Sequence, residues 1–302
     1  MEKTMNLEQI NSFWQETLNE LATIPMEAAV SLHDPEGVMH EAVKTYQNHS
    51  VTLTSFDGIK IRGWFTVPIG EPPPGGFPAL ITAPGYFGIQ SLSMHFVRHG
   101  YAVLALYPRG QGESIAEWEL DHATKATYHA DDRNKYYYRG AFADLVRGVD
   151  FLCQRAEVDS ERIGTWGMSQ GGGFALAIAA LDSRIKAASA EVSWPLNFKV
   201  SVKIEDIPYG EYFQLLKEQP EKHDQIMETL EYFDAYNLVK NIKCPTLMNA
   251  VIVDKIHPYH TIMPVFEQIP AKKSIVVYPD IEHGTRADFA RHTLDWLDRY
   301  IR

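Results

Sequence analysis

Gly167-Met168-Ser169-Gln170-Gly171 is the stretch of this 302-residue chain best suited to chemistry. An apolar run, Ile163 to Trp166, precedes it, and a segment rich in Ala, Leu and Ile follows as far as Leu181. Strand, sharp turn and helix in that order would lift the Ser169 hydroxyl above a sheet on a strained backbone. Gly167 and Gly171 leave room where the strand and helix backbones nearly touch. The helix N-terminus would add unpaired N–H groups and a positive dipole end beside the reacting oxygen.

A serine hydroxyl attacks only when a base takes its proton, and the base needs a carboxylate to orient it. In an open α/β sheet such groups lie beyond the carboxyl ends of strands. Of the twelve histidines, His283 falls just after the last expected strand, in Tyr278-Pro279-Asp280-Ile281-Glu282-His283. His257 and His260 follow the preceding strand but read as the beginning of a helix. Asp254, closing Leu247-Met248-Asn249-Ala250-Val251-Ile252-Val253-Asp254, fits the acid. Asp280 and Glu282 are too close along an extended chain to reach the His283 ring. Ser169, Asp254, His283 is the chain order of an α/β-hydrolase triad. The oxyanion hole needs two backbone amides. Gln170, after the nucleophile, supplies one, and Tyr86, in the Gly85-Tyr86 turn, is the candidate for the other. Asp254-x-x-His257-x-x-His260 resembles a metal-ligand spacing, but Pro258 interrupts it and no further ligand set accompanies it. No metal and no cofactor are expected.

These groups need a scaffold, and the chain spells one out. Asn6 to Leu21 carries a helical apolar stripe (Leu7, Ile10, Phe13, Trp14, Leu18, Leu21), with Asn6 and Gln9 spaced as a capping box. It reads as a helix covering the body or, less readily, as one that binds a partner. Residues 25–48 give no firm assignment. Ser50–Phe56 and Lys60–Val67 alternate about Asp57-Gly58, a hairpin signal. Strands are expected at Pro78–Thr82, Tyr101–Tyr107, Ile185–Val192, Cys244–Val253 and Lys273–Tyr278. Helices are expected at Ser91–His99, Tyr138–Arg155, Thr261–Gln268 and Arg286–Ile301. Residues 113–135 are polar and aperiodic, long enough to be functional or interfacial. Residues 193–241 read as a helical cap inserted between strands. Strands alternating with helices imply a mainly parallel sheet covered on both faces, with the hairpin as an antiparallel edge. The expectation is a single domain over 1–302, with 1–48 as an N-terminal helical extension.

Composition narrows the function. With 45% hydrophobic and 22% charged residues the chain is that of an ordinary globular protein. A net charge of −11 argues against nucleic acid or an anionic membrane as partner, since both are polyanions. Cys153 and Cys244 lie in apolar runs, as buried thiols do, so no disulfide framework is expected. No basic-then-apolar leader and no apolar stretch of membrane-spanning length is visible, which makes the cytoplasm the expected location.

Nearly the whole chain resembles the acetyl xylan esterase and cephalosporin-C deacetylase family of α/β hydrolases. The resemblance rests on Arg109-Gly110-Gln111 after a strand, Gly167-Met168-Ser169-Gln170-Gly171-Gly172 at the elbow, and Tyr136-Tyr137-Tyr138-Arg139 opening the preceding helix. Phe13-Trp14, Gly85-Tyr86 and Asp254 also match. It implies Ser169, Asp254 and His283 as triad, Tyr86 and Gln170 as oxyanion donors, and deacetylation of small esters such as acetylated xylo-oligosaccharides and cephalosporin C. It further implies a compact acyl pocket, for which Trp194 is a candidate wall or simply core. Arg109 reads as a buried structural contact at the rim. Two departures stand out: Gly284 follows His283 where the family has Glu, and segment 113–135 is shorter than the loop that family hexamers use. A homo-oligomer is therefore left open. Hydrolysis of another bond or a longer acyl chain, and a non-catalytic binding protein on the same scaffold, are the competing readings.

Overall fold

The computed structural model describes residues 6–32, 45–90, 94–118, 125–206, 208–281, 283 and 287–302. A nine-stranded sheet carries the chain, in the order β1-β2-β3-β5-β4-β6-β7-β8-β9. β1 (Ala29–Leu32), β2 (Tyr46–Thr54) and β3 (Lys60–Pro68) form the antiparallel edge, and β3 pairs antiparallel with β5 (Ala102–Tyr107). β4 (Phe77–Thr82), β5, β6 (Val158–Met168), β7 (Ile185–Glu191), β8 (Thr246–Val251) and β9 (Lys273–Tyr278) run parallel. β4, β5 and β8 are buried at every position, the near-continuous apolar run that a strand covered on both faces requires. The hairpin expected at Asp57-Gly58 forms, with positive φ at Asp57 (59°) and Gly58 (73°), the backbone that such a tight turn demands.

Alternation along the parallel strands sends neighbouring side chains to opposite faces. Ala79, Ile81 and Leu104 join a large core with α3 (Tyr137–Cys153) and α4 (Gln170–Leu181). Leu80 and Val103 instead meet α2 (Met94–Arg98) and α10 (Ala287–Ile301). α1 (Leu7–Thr23) lays Phe13 and Trp14 in the larger core, where the Trp14 ring stacks on Phe142 at 5.5 Å. The Asn6 side chain caps α1 through the Glu8 amide at 3.0 Å rather than through the expected box with Gln9. Between β7 and β8 the described residues form four short α-helices, α5 (Phe198–Ser201), α6 (Tyr209–Glu218), α7 (His223–Glu231) and α8 (Ala235–Leu238), whose apolar side chains join the same core. α9 is Tyr259–Gln268.

Several boundaries differ from the sequence reading. The helix expected at 91–99 is one turn, α2, and residues 91–93 lie outside the described residues, as do Glu282, Gly284 and Arg286. β6 begins five residues before Ile163 and β8 stops at Val251. Among the described residues no helix is long and apolar enough to cross a membrane.

Candidate active site

Ser169 sits between β6 and α4 with φ 56° and ψ −122°, a conformation that an L-residue holds only when its surroundings impose it. Those surroundings are visible. The Ser169 amide donates to the Glu191 carbonyl at 2.9 Å, and its own carbonyl accepts from Gly172, Gly173 and Trp194 amides at 2.9, 3.1 and 3.0 Å. A Cβ on Gly167 would strike the Gly171 backbone, and one on Gly171 would strike the Ala83 carbonyl. The two glycines are what permit the strand, the helix and the loop after β4 to close on one another.

Beyond β8, Asp254 is buried, and its two carboxylate oxygens have different duties. Oδ1 accepts the Ile256 and His257 amides at 2.7 and 2.9 Å, closing a turn, and Oδ2 meets His283 Nδ1 at 2.9 Å. Burial alone would raise this carboxyl, but the hydrogen bonds from His283 and the His257 amide hold it below its ordinary value. A carboxylate only accepts, so Nδ1 of His283 carries the proton, and Nε2 is left as the basic nitrogen.

The imidazole in contact with the nucleophile is His257. Its Nε2 lies 3.1 Å from Ser169 Oγ, and its ring stands edge-to-face with His283, centroids 4.6 Å apart. It is fully buried, and Nδ1 has no hydrogen-bond partner among the described residues. Burial, then the neighbouring His283, pushes this imidazole down to about 3, against a smaller opposing pull from Asp254 and the Ile256 carbonyl. No direct hydrogen bond joins His283 to Ser169 among the described residues. The sequence reading passed over His257 by placing it at the start of a helix. Instead it precedes α9, whose N-cap is Pro258. The signal was there: a residue followed by proline is driven out of the helical region.

Gln111 joins the two expected oxyanion donors. Its Nε2 reaches the Gly85 carbonyl and the Tyr86 carbonyl at 3.2 Å each and Gln170 Oε1 at 2.6 Å. The Gly85 carbonyl and the Tyr86 amide share one trans peptide unit, so holding the carbonyl fixes the amide on the opposite side. Gln170 begins α4, where amides lack intrahelical partners, and its Nε2 donates to Tyr138 at 2.6 Å. Lys125, fully buried, donates to the Tyr86 carbonyl at 2.7 Å, and the Tyr86 hydroxyl donates to both Glu211 oxygens at 2.7 and 2.8 Å. Burial pushes the Lys125 ammonium down to about 8, with Glu211 opposing. Sequence reasoning did not single out Lys125 or Glu211, which lie in the aperiodic segment and the cap.

Arg109 is a buried tie. Its guanidinium is bidentate to Asp144, at 2.9 Å through Nε and 2.9 Å through Nη2, and reaches Asp57 at 3.1 Å and the Phe56 carbonyl at 2.7 Å. Gly110 turns at φ 67° against Trp118. Trp194 is fully buried, edge-on to Tyr86 at 5.1 Å and beside Tyr138, Tyr209 and Tyr212. His260 is exposed on α9, apart from the buried pair.

The described residues thus bring together a serine in a strained turn, an imidazole at its hydroxyl, a second imidazole on a carboxylate, and a loop braced by Gln111. The chain matches the family described as acetyl xylan esterase (AXE1) over residues 1–300. It is 25% identical to acetyl esterase Axe7A of Xylanibacter ruminicola over 99% of this chain and 68% of that protein. An acetyl xylan esterase from Paenibacillus sp. R4 superposes with a TM-score of 0.87 at 30% identity, over 98% of this chain and all (100%) of that one. Acetyl xylan esterase 1 from a Thermoanaerobacterium species gives 0.84 at 26% identity, over 96% and 93% of the two chains.

Proposed function

The chain belongs to the acetyl xylan esterase family, and on that premise we propose that it removes acetyl groups from small esters through an acyl-enzyme on Ser169. The observation that carries the residue roles is the meeting, beside the strained Ser169 turn, of two edge-to-face imidazoles of which one holds a carboxylate. His283 is the base. Asp254 keeps the proton on Nδ1 and stabilises the imidazolium that forms, whereas His257 has no carboxylate at Nδ1, and burial beside His283 outweighs the pull of Asp254 and the Ile256 carbonyl toward a positive charge. In acylation His283 Nε2 takes the Ser169 proton as Oγ bonds to the ester carbonyl carbon, and the Tyr86 and Gln170 amides hold the oxyanion. The alkoxide leaves with the proton from His283. Water, deprotonated in the same way, then releases acetate and restores Ser169.

Acetylated xylo-oligosaccharides are the substrates that the relatives' names suggest for this site, and the packing of Trp194, Tyr209 and His257 near Ser169 supports a short acyl group. A cytoplasmic location belongs to the same reading, supported by the free thiols of Cys153 and Cys244. The test is hydrolysis of nitrophenyl esters from acetate to octanoate by the wild type and Ser169→Ala. We expect acetate to be preferred and the substitution to cost on the order of 10⁶-fold in kcat. Equal rates for the two proteins would end the serine mechanism, and a preference beyond butyrate would end the acetyl assignment.

A further inference from the structure

The mechanism above has no use for His257, yet this imidazole is buried against the nucleophile itself. We propose that His257 is a further catalytic residue, a neutral hydrogen-bond donor whose Nε2–H holds Ser169 Oγ while the serine proton goes to His283. The inference rests on the roles of Ser169 and His283 given above.

The hydroxyl has one proton and two lone pairs. Asp254 fixes the His283 tautomer, so Nε2 of His283 is an acceptor, and in the mechanism proposed above it takes the serine proton. If His257 also accepted at Nε2, two acceptors would compete for one hydrogen, and the buried Nδ1–H would be left without a partner. Orphaned buried N–H groups are rarer than under-satisfied acceptors. In the other tautomer His257 donates to an Oγ lone pair, and a bare Nδ1 lone pair replaces the orphaned donor. The Ile256 carbonyl lies close enough to favour a proton on the ring, but no hydrogen bond of good geometry joins it to Nδ1. Burial also keeps the ring neutral, with one proton to place.

A donor at Oγ matters most when Oγ bears charge. As His283 takes the proton, negative charge grows on Oγ, and the contact becomes charge-assisted. In deacylation the bond from Oγ to the acyl carbon breaks and Oγ departs as a developing alkoxide, which the same N–H stabilises until His283 returns the proton. His257 neither gains nor loses a proton in either half, so proton balance stays with His283, water and the leaving alcohol.

Three variants and one spectrum test this. His257→Phe removes the donor, His257→Gln keeps an N–H near the position of Nε2 but has no basic nitrogen, and His283→Gln removes the base. With acetate ester at saturation, we expect His257→Phe to lower kcat about 10- to 100-fold with KM within about twofold. His257→Gln should recover to within about fivefold of wild type, and His283→Gln should fall by 10⁴-fold or more. If His257→Gln falls as far as His283→Gln, His257 is the base and the proposal fails. It fails equally if His257→Phe keeps wild-type kcat. Nitrogen-15 spectra of histidine-labelled wild type decide the tautomer without any substitution: a proton on Nε2 of His257 is expected, and one on Nδ1 overturns the assignment. Activity in Ser169→Ala equal to wild type would instead strike the serine mechanism itself.

Discussion

Glu191 supports the elbow from behind. Its carbonyl accepts the Ser169 amide, and its carboxyl accepts Trp166 Nε1 at 2.6 Å. Burial pushes that carboxyl up to about 7, with the Trp166 hydrogen bond opposing. An acid whose folded pKa exceeds the unfolded value near 4.3 stabilises the fold while protonated. That contribution is complete below the unfolded value and is lost as pH rises through the folded one. Wild type should therefore lose stability between pH 5 and pH 8, by on the order of 2–3 kcal/mol relative to Glu191→Gln, which keeps an acceptor for Trp166 and cannot ionise. Urea unfolding at the two pH values measures it, and parallel pH profiles for the two proteins would refute it. Residue chemistry of this kind is only half legible in sequence. Ser169, Asp254 and His283, the proposed triad, are readable by motif and chain order, because such roles depend on where strands end. His257, Lys125 and Glu191 owe their properties to burial beside particular neighbours, and only the fold supplies those neighbours.

At the scale of elements, the contact between α4 and the loop after β4 is closed by the absence of a side chain. Gly171 abuts the Ala83 carbonyl so tightly that a methyl group there must move either the helix or the loop after β4. Interiors packed to this density do not give by such amounts without strain, which typically costs about 1–3 kcal/mol. Because Gln111 ties that loop to Gln170, the displacement spreads to both expected oxyanion donors. Gly171→Ala should lower the denaturation midpoint and cut kcat on the acetate ester by at least about 100-fold, the scale of a lost oxyanion donor. Wild-type kcat in a folded Gly171→Ala would show that the contact does not set the oxyanion geometry. The glycine pattern made this element readable in advance, as the near-continuous apolar runs did for β4, β5 and β8. β1 was not readable: four exposed residues on a sheet edge carry no alternation for a pattern to catch.

Over the whole molecule, the question is whether α1 and the cap stand or fall with the catalytic sheet. Trp14 is the hinge of the answer. Its ring stacks on Phe142 of α3 and meets Phe233 edge-on at 5.5 Å, while its Nε1 donates to the Tyr232 carbonyl at 2.8 Å, just past α7. One side chain thus joins the N-terminal helix, the helix before the elbow and the end of the cap. Asp234 binds these further, accepting the Asn197, Phe198 and Tyr236 amides at 2.7, 2.7 and 2.9 Å, so the cap is pinned to the chain leaving β7. Trp14→Ala removes a large buried aromatic and leaves the Tyr232 carbonyl without this donor, a change that typically costs about 3–5 kcal/mol. If 1–302 is a single cooperative unit, helical signal and esterase activity will be lost together at one lowered denaturant midpoint in this variant. Two separated midpoints, with activity surviving the first, would show that α1 and the cap unfold apart from the sheet that carries Ser169.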